Sequence, residues 1–339
     1  MSISRVMAIL VVPVVFLAAA CGSGPSKGSP FPATETPTEP PATPTVTPEP
    51  TPEPTELRVA FINLMSPRSL DESDTVPGDT YEARLQMVIA ELKAFKPDVV
   101  AFAEATRTSD HGDTIDRLST ELRMQPQVAH VNPFFAGLTE ERMRQIAAEV
   151  GWQENIVILV RGDRFPDLGA SYKWLIPRTS DPEARRALHV KIKGPADAGD
   201  IDLFLTHLTG GGPELRGLQA ESFASFIVAQ RSFHPAVVFA DLSDGPESPA
   251  YEALKEIGLQ DPFEDSGIMT CCRVSVVGPQ EELTERRDYI FSWAWAPVET
   301  GTFGTFGQTL TDGTVVYASD HIGLWAVFPL VQRSGLPGD

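Results

Sequence analysis

The chain has 339 residues, with 46 Asp and Glu against 27 Lys and Arg and a formal net charge of −19. That balance argues against a nonspecific nucleic-acid coat, which needs a basic face. It leaves room for an enzyme that handles an anionic substrate through a bound cation.

The first stretch, "MSISRVMAILVVPVVFLAAAC", has one Arg, an apolar run from Met7 to Ala20 and small residues before Cys21. This predicts a secretory signal over 1–20. The run is shorter than the roughly 20 residues of a spanning helix, and Pro13 interrupts it. The cysteine after "LAAA" resembles the lipobox of bacterial lipoproteins, with Ala18 where leucine is commonest. That resemblance implies lipidation of Cys21 and export to the cell envelope; the alternative is an ordinary cleaved signal and secretion. Residues 25–56 hold 11 of the 30 prolines, interleaved with Thr and Glu. Such a segment has few core-forming side chains and stays extended, reaching on the order of 100 Å if polyproline-like. Residues 21–56 therefore read as a linker and 57–339 as one domain, which carries −16 of the charge.

Within the domain, "LRVAFINLM" (57–65) alternates and predicts a strand ending at Asn63. "DTYEARLQMVIAELKAFKP" places Leu85, Val88, Ile89, Leu92 and Phe95 at helical spacing and stops before Pro97. "DVVAFAEA" (98–105) predicts a strand ending on Glu104. Strand–helix–strand with short joints is a crossover unit. Residues 139–150 predict a helix with acidic residues in its first turn, followed by the strand "NIVILVRG". "ALHVKI" and "IDLFLTHL" read as neighbouring strands, and "PELRGLQAESFASFIVAQ" as a helix after a Gly-Gly-Gly-Pro turn. "PAVVFADLSD" and "DYIFSWAW" are further strands. "VVYASDHIGLWAVF" predicts two core strands around Ser319-Asp320-His321. Strands and helices in both halves predict two sheets face to face with helices outside.

Seven polar residues stand at these strand ends: Asn63, Glu104, His207, Asp241, Asp288, Asp320 and His321. Ionisable groups at the ends of core strands are costly unless paired or used, and an active-site rim uses them. His111, His130, His189 and His234 have no such setting and read as structural or surface residues. Cys271-Cys272 admit a vicinal disulfide, two thiols or a soft metal, though no neighbouring Cys or His completes a zinc site.

Taken in order, the pieces resemble the endonuclease/exonuclease/phosphatase family, the metal-dependent phosphoesterases similar to deoxyribonuclease I. "FINLM", "KPDVVAFAEA", "LFLTHL" with Arg216-x-x-Gln219, "FADLSD", "RRDYIF" and "SDHIGL" follow the family's sequence of motifs across 57–328. The resemblance implies an α/β fold, a four-layered α-β-β-α sandwich of two packed, mainly antiparallel sheets. It implies Mg²⁺ (or Mn²⁺ or Ca²⁺) on Asn63 and Glu104, with Asp320 near the ion directly or through water. It also implies that Asp241 orients or deprotonates the attacking water. His321 then faces the phosphate with Asp288 on its other nitrogen, and His207 stands across the phosphate. Arg186 is the phosphate contact, with Arg185 an equal candidate. Ser243 replaces the asparagine of the family's Gly-Asp-x-Asn motif, giving one hydroxyl donor where an amide is usual. "TCC" looks like a bacterial subset and favours a structural role for Cys271-Cys272. The expected substrate is nucleic acid, a phospholipid or sphingomyelin-type headgroup, or a sugar or inositol phosphate monoester. "WAWAP" and "GTFGTFGQ" are candidate membrane-docking loops. The expected state is a monomer, and the rival class is a catalytically silent surface protein that binds a partner.

Overall fold

The structure is a computed structural model that describes residues 54–67, 80–178, 184–195, 198–231 and 234–330. The signal segment, Cys21 and the linker up to residue 53 lie outside the described residues. The strands are β1 (Glu56–Asn63), β2 (Val99–Thr108), β3 (Gly112–Asp113), β4 (Gln125–Asn132), β5 (Trp152–Val160), β6 (Asp167–Trp174) and β7 (Arg186–Lys193). They continue with β8 (Asp200–His207), β9 (Ala236–Asp241), β10 (Asp288–Trp293), β11 (Glu299–Phe303), β12 (Gln308–Thr309), β13 (Val315–Val316) and β14 (Gly323–Pro329). The helices are α1 (Tyr81–Phe95), α2 (Thr114–Leu122), α3 (Glu140–Val150), α4 (Pro213–Gln230) and α5 (Pro249–Glu256).

Two mixed, mainly antiparallel sheets form the centre. One runs β11-β14-β1-β2-β5-β4 with β3 on the end of β2, the other β10-β9-β8-β7-β6. Among the described strands only β1–β2 and β8–β9 pair in parallel, and α1 and α4 make the crossovers that parallel pairing requires. Strand alternation sorts the side chains into layers. Val59 and Phe61 of β1, Leu203 and Leu205 of β8, and Val237 and Phe239 of β9 meet between the sheets. Ala60, Ile62, Val100 and Phe102 face outward under Leu85, Val88, Ile89 and Leu92 of α1. On the far side Phe204, Val238 and Phe291 face Phe223 and Ile227 of α4 and Leu254 of α5. The result is the expected α-β-β-α sandwich.

Local chemistry sets the helix ends. Lys96, before Pro97, closes α1 in the left-handed conformation, since the residue before proline is barred from continuing a helix. Thr139 caps α3 by accepting from the Arg142 amide, and Ser248 caps α5 by accepting from the Tyr251 amide. Among the described helices none is long and apolar enough to cross a membrane.

Three expectations change. β2 continues past Glu104 to Thr108. The first half of "VVYASDHIGLWAVF" supplies only Val315–Val316, paired with β12 outside both large sheets, because Ser319 to His321 turn into the site before a strand can form. β4, β6 and α5 were not marked by clear periodicity.

Phe61 and Phe239 touch across the two sheets, with ring centroids 6.1 Å apart. Phe239→Ala removes a wholly buried ring from that seam and is expected to cost about 3–5 kcal/mol of stability, read as a lower denaturant midpoint with an unchanged m-value.

Candidate active site

The period of two that builds the core also builds the site. Phe61, Leu205, Phe239 and Ile290 point between the sheets; two residues further along the same rows stand Asn63, His207, Asp241 and Asp288. All four are buried at one end of the sandwich. In the ladder His207 lies opposite Asp241, and Asp288 opposite Asp241 on its other side.

Glu104 breaks this rule. Phe102 faces outward, so alternation alone would send Glu104 outward too. A bulge lies between Phe102 and Ala105 in the pairing with β5, and Glu104 takes φ 54°. The extra residue turns its carboxylate inward, the usual work of a bulge at a site. Met65 (φ 53°) and Ser243 (φ 50°) adopt the same left-handed region, so strained backbone gathers at this mouth.

The inward carboxylate joins a network. The Asn63 amide donates to Glu104 Oε1 at 3.0 Å and to Asp241 Oδ2 at 2.9 Å. The Ser66 N–H donates to Glu104 Oε2 at 2.7 Å. His207 Nε2 lies 3.5 Å from Asp241 Oδ2, and the Ser243 N–H donates to Asp241 Oδ1 at 2.8 Å. Burial by itself raises both carboxyls, but for Glu104 the charges of His207 and His321 and the donors Ser66 and Asn63 outweigh it and hold the group below its ordinary value. Asp241 is lowered in the same way, against burial, by His207, His321, Asn63 and the Ser243 amide. His207 is lowered, first by burial and then by Arg185, against the opposing pull of Asp241 and Glu104.

A second group completes the mouth. His321 Nδ1 lies 2.7 Å from Asp288 Oδ2, and its Nε2 lies 4.0 Å from Asp320 Oδ1. Burial lowers His321, yet Asp288, Asp320 and Asp241 hold it well above 6.5. Burial pushes Asp288 up to about 6 despite His321. The pair at neutral pH is therefore imidazolium and carboxylate, with the proton on His321. The Thr270 hydroxyl accepts from the Asp288 and Arg287 amides and pins the start of β10. Asp320 accepts from the Ser319 hydroxyl at 3.1 Å; burial and then the nearby Glu104 charge raise it. Ligand atoms of Asp241, Asp288 and His321 lie within 4.8 Å of one another, which joins the two groups into one site.

The loops that carry these residues are held by buried guanidinium groups. Arg84, on α1, donates to the carbonyls of Leu64, Met65 and Ala318. Arg273 donates to the carbonyls of Ser319 and His321 at 2.9 and 3.3 Å. Neither was marked as functional by the sequence, since a buried Arg is legible only once its carbonyl partners are in place.

Not every expected residue joins the site. Arg186 lies 3.9 Å over the Trp174 ring and 4.5 Å over Tyr172, pairs with Glu140 of α3 and is wholly buried. Its guanidinium is enclosed and does not face the site as expected, whereas Arg185 pairs with Glu154 at 3.3 Å and acts on His207. The Ser243 hydroxyl lies 3.4 Å from both Asp241 Oδ1 and the Leu208 carbonyl, turned toward its own strand ends. Arg216 pairs with Asp244, and Gln219 accepts from the Thr209 amide. Cys271 and Cys272 form a vicinal disulfide, with Sγ atoms 3.4 and 3.8 Å from His321 Nε2.

His189 and His130 are core residues. His189 pairs with Asp202 at 2.8 Å and stacks on Phe204. His130 Nδ1 takes a hydrogen bond from the Gln153 amide at 2.9 Å while its Nε2 donates to the Pro133 carbonyl, which defines a neutral ring. Burial pushes it down to about 4. Between pH 6.5 and 4 the unfolded chain binds a proton there that the native chain does not. Stability is expected to fall with pH across that window by about 1.4 kcal/mol per unit, roughly 3 kcal/mol in all. Denaturant midpoints at pH 7, 5.5 and 4 check this, and His130→Gln is expected to flatten the decline.

No family model matches the chain, and no curated protein matches it in sequence. Solved structures do match. An endonuclease/exonuclease/phosphatase family protein from Bacteroides thetaiotaomicron is 17% identical, with TM-score 0.62 over 81% of this chain and 98% of that one. A mannosyl-6-phosphatase from B. thetaiotaomicron is 16% identical, with TM-score 0.60 over 80% and 98%. D. rerio TDP2 complexed with a single-strand DNA product is 16% identical, with TM-score 0.56 over 81% and 99%. The fold is thus that of a deoxyribonuclease I-like sandwich. It is the fold carried by the solved endonuclease/exonuclease/phosphatase family proteins.

Proposed function

We propose that this chain is a divalent-metal-dependent phosphoesterase that hydrolyses a phosphoester by attack of water. The observation that carries the reading is the bulge-turned Glu104: a backbone device that brings a carboxylate to Asn63, Asp241 and His207 at the end of the sandwich.

The donor set fits a hard cation. Four carboxylates converge on two imidazoles, Glu104, Asp241 and Asp320 offer hard oxygen donors, and Asp320 is raised because burial and Glu104 crowd its charge. Asn63, Glu104 and Asp320 are the residues that would hold Mg²⁺, with Mn²⁺ or Ca²⁺ as substitutes. When bound, the ion supplies positive charge to the phosphate oxygens. The remaining work falls to the chain. Asp241, kept ionised, orients the attacking water and accepts its proton. His321, charged through Asp288, donates toward the phosphate from Nε2, and His207 donates from across it. Arg185 and the Ser243 hydroxyl stand at the rim.

A cavity of about 380 Å³ lined by Gly245, Pro246, Met269 and Arg286, among others, flanks the loops that follow Asp241 and precede Asp288. Similarity in fold to a sugar phosphatase and to a DNA-bound protein supports a phosphoester substrate in the coarse sense only. We further propose that the leader exports the chain and that lipid on Cys21 tethers it to the envelope, checked by the intact mass of the mature N-terminus.

The test is turnover of a chromogenic bis-phosphodiester by the purified chain. Activity is expected with Mg²⁺ or Mn²⁺, to fall at least ~100-fold under a chelator and to return with added ion. Absence of turnover with every ion favours the silent binding protein, for which the averted Ser243 hydroxyl speaks. Plasmid DNA, RNA, phospholipid and sugar phosphates then rank the substrates.

A further inference from the structure

The vicinal cysteines reach the outer edge of the His321 ring, and the reading above gives them no part. Nδ1 of His321 is committed to Asp288, which leaves Nε2 as its open position, and Nε2 and the two sulfurs lie within 4.8 Å of one another. We propose that Cys271 and Cys272, once reduced, form with His321 Nε2 a site for a thiophilic divalent cation of the zinc and cadmium class. The disulfide closes that site.

Three observations carry this. A tetrahedral zinc ion, with bonds of about 2.3 Å to sulfur and 2.0 Å to nitrogen, sets those two ligand atoms ~3.5 Å apart. Nε2 keeps 3.4 and 3.8 Å from the two sulfurs. Second, Nδ1 is bonded to a carboxylate, the partner that orients a ligating imidazole. Third, Cys271 is buried while Cys272 is half-buried, so one sulfur is reachable from outside. The pair alone lacks a further ligand in its own stretch of sequence; the fold supplies one from 49 residues away.

The chemistry balances simply. A dithiol reductant gives two electrons and two protons to the sulfur–sulfur bond and leaves as its own cyclic disulfide. The incoming ion displaces three protons to solvent, one from each thiol and one from His321 Nε2. Thiolate ligands select soft ions over Mg²⁺, so the site differs in kind from the oxygen donors around Glu104. Its occupant takes Nε2, the atom that the proposed hydrolysis aims at the phosphate; this last consequence rests on the proposed function, whereas ion binding does not.

The test titrates the whole chain, reduced by a dithiol and freed of excess under argon, with Cd²⁺, following the ultraviolet charge-transfer band of cadmium thiolate. The reduced chain is expected to bind one ion with this band and the oxidised chain to show none. The comparison needs no substitution, so it stands even where a variant misfolds. Cys21 is the remaining cysteine, and the double variant Cys271→Ser, Cys272→Ser, which retains Cys21, is expected to lose the band. His321→Gln is expected to weaken Cd²⁺ binding at least ~10-fold. A reduced chain without the band, a band that persists in the double variant, or unchanged affinity in His321→Gln overturns the proposal. None of these readouts needs turnover, so failure of the phosphoesterase reading shows separately. Where turnover is present, Cd²⁺ is expected to inhibit the reduced chain and spare the oxidised one at saturating Mg²⁺; equal inhibition of both forms overturns the link to His321.

Discussion

Glu104→Ala is expected to lower Mg²⁺-dependent kcat/KM by at least about 10³-fold, roughly 4 kcal/mol of transition-state stabilisation. The residue is half-buried at a bulge and belongs to no core cluster, so the fold is expected to survive its removal with the same circular dichroism. What goes is the anion on which the Asn63 amide and the Ser66 N–H converge, and with it the first oxygen donor for the ion. Mg²⁺ titration of turnover, set beside calorimetric binding of the ion alone, separates loss of the ion from loss of chemistry. Turnover within tenfold of wild type would show that the cation is held elsewhere.

Asp288→Asn is expected to produce the second large effect, a fall in kcat on the order of 10³-fold. The sign of its pH dependence distinguishes an electrostatic role from a structural one. In the native chain His321 sits well above 6.5, because Asp288 with Asp320 and Asp241 overcomes burial. Its charged form is present below that raised value and is lost as pH climbs through it. With Asp288 neutralised, burial has less opposition, and the same loss is expected at lower pH. The alkaline limb of kcat/KM against pH should therefore move down in the variant. A uniform drop with an unmoved limb would mean that Asp288 serves only to hold the loop.

These expectations trace back to how the site is written in the chain. Asn63, His207, Asp241 and Asp288 were legible because each prolongs an inward row of apolar residues by one more step of the strand period. The charge pattern and the core pattern are one pattern there. Glu104 follows no such row; its expected place at a strand end and its likeness to a family motif marked it, but the bulge that turns it inward is set by pairing with β5 and leaves little trace in composition. Arg186 was misplaced for a related reason. Its neighbours Trp174 and Glu140 come from β6 and α3, and neither element was bound to it by sequence distance. The approach of Cys271 and Cys272 to His321 was equally invisible, because a loop between α5 and β10 has to fold back across the mouth to make it. The leader, Cys21 and the linker stay as the sequence alone describes them.

The reach of Arg84 from the outer helix to the carbonyls behind Asn63 and ahead of Asp320 has a dynamic consequence. The mouth cannot loosen on its own. Amide protons of Leu64, Met65 and the segment before Asp320 should exchange with solvent in step with those of α1, as one cooperative unit and not as independent loops. Steadiness at the reacting end is thus borrowed from a helix that never meets the phosphate.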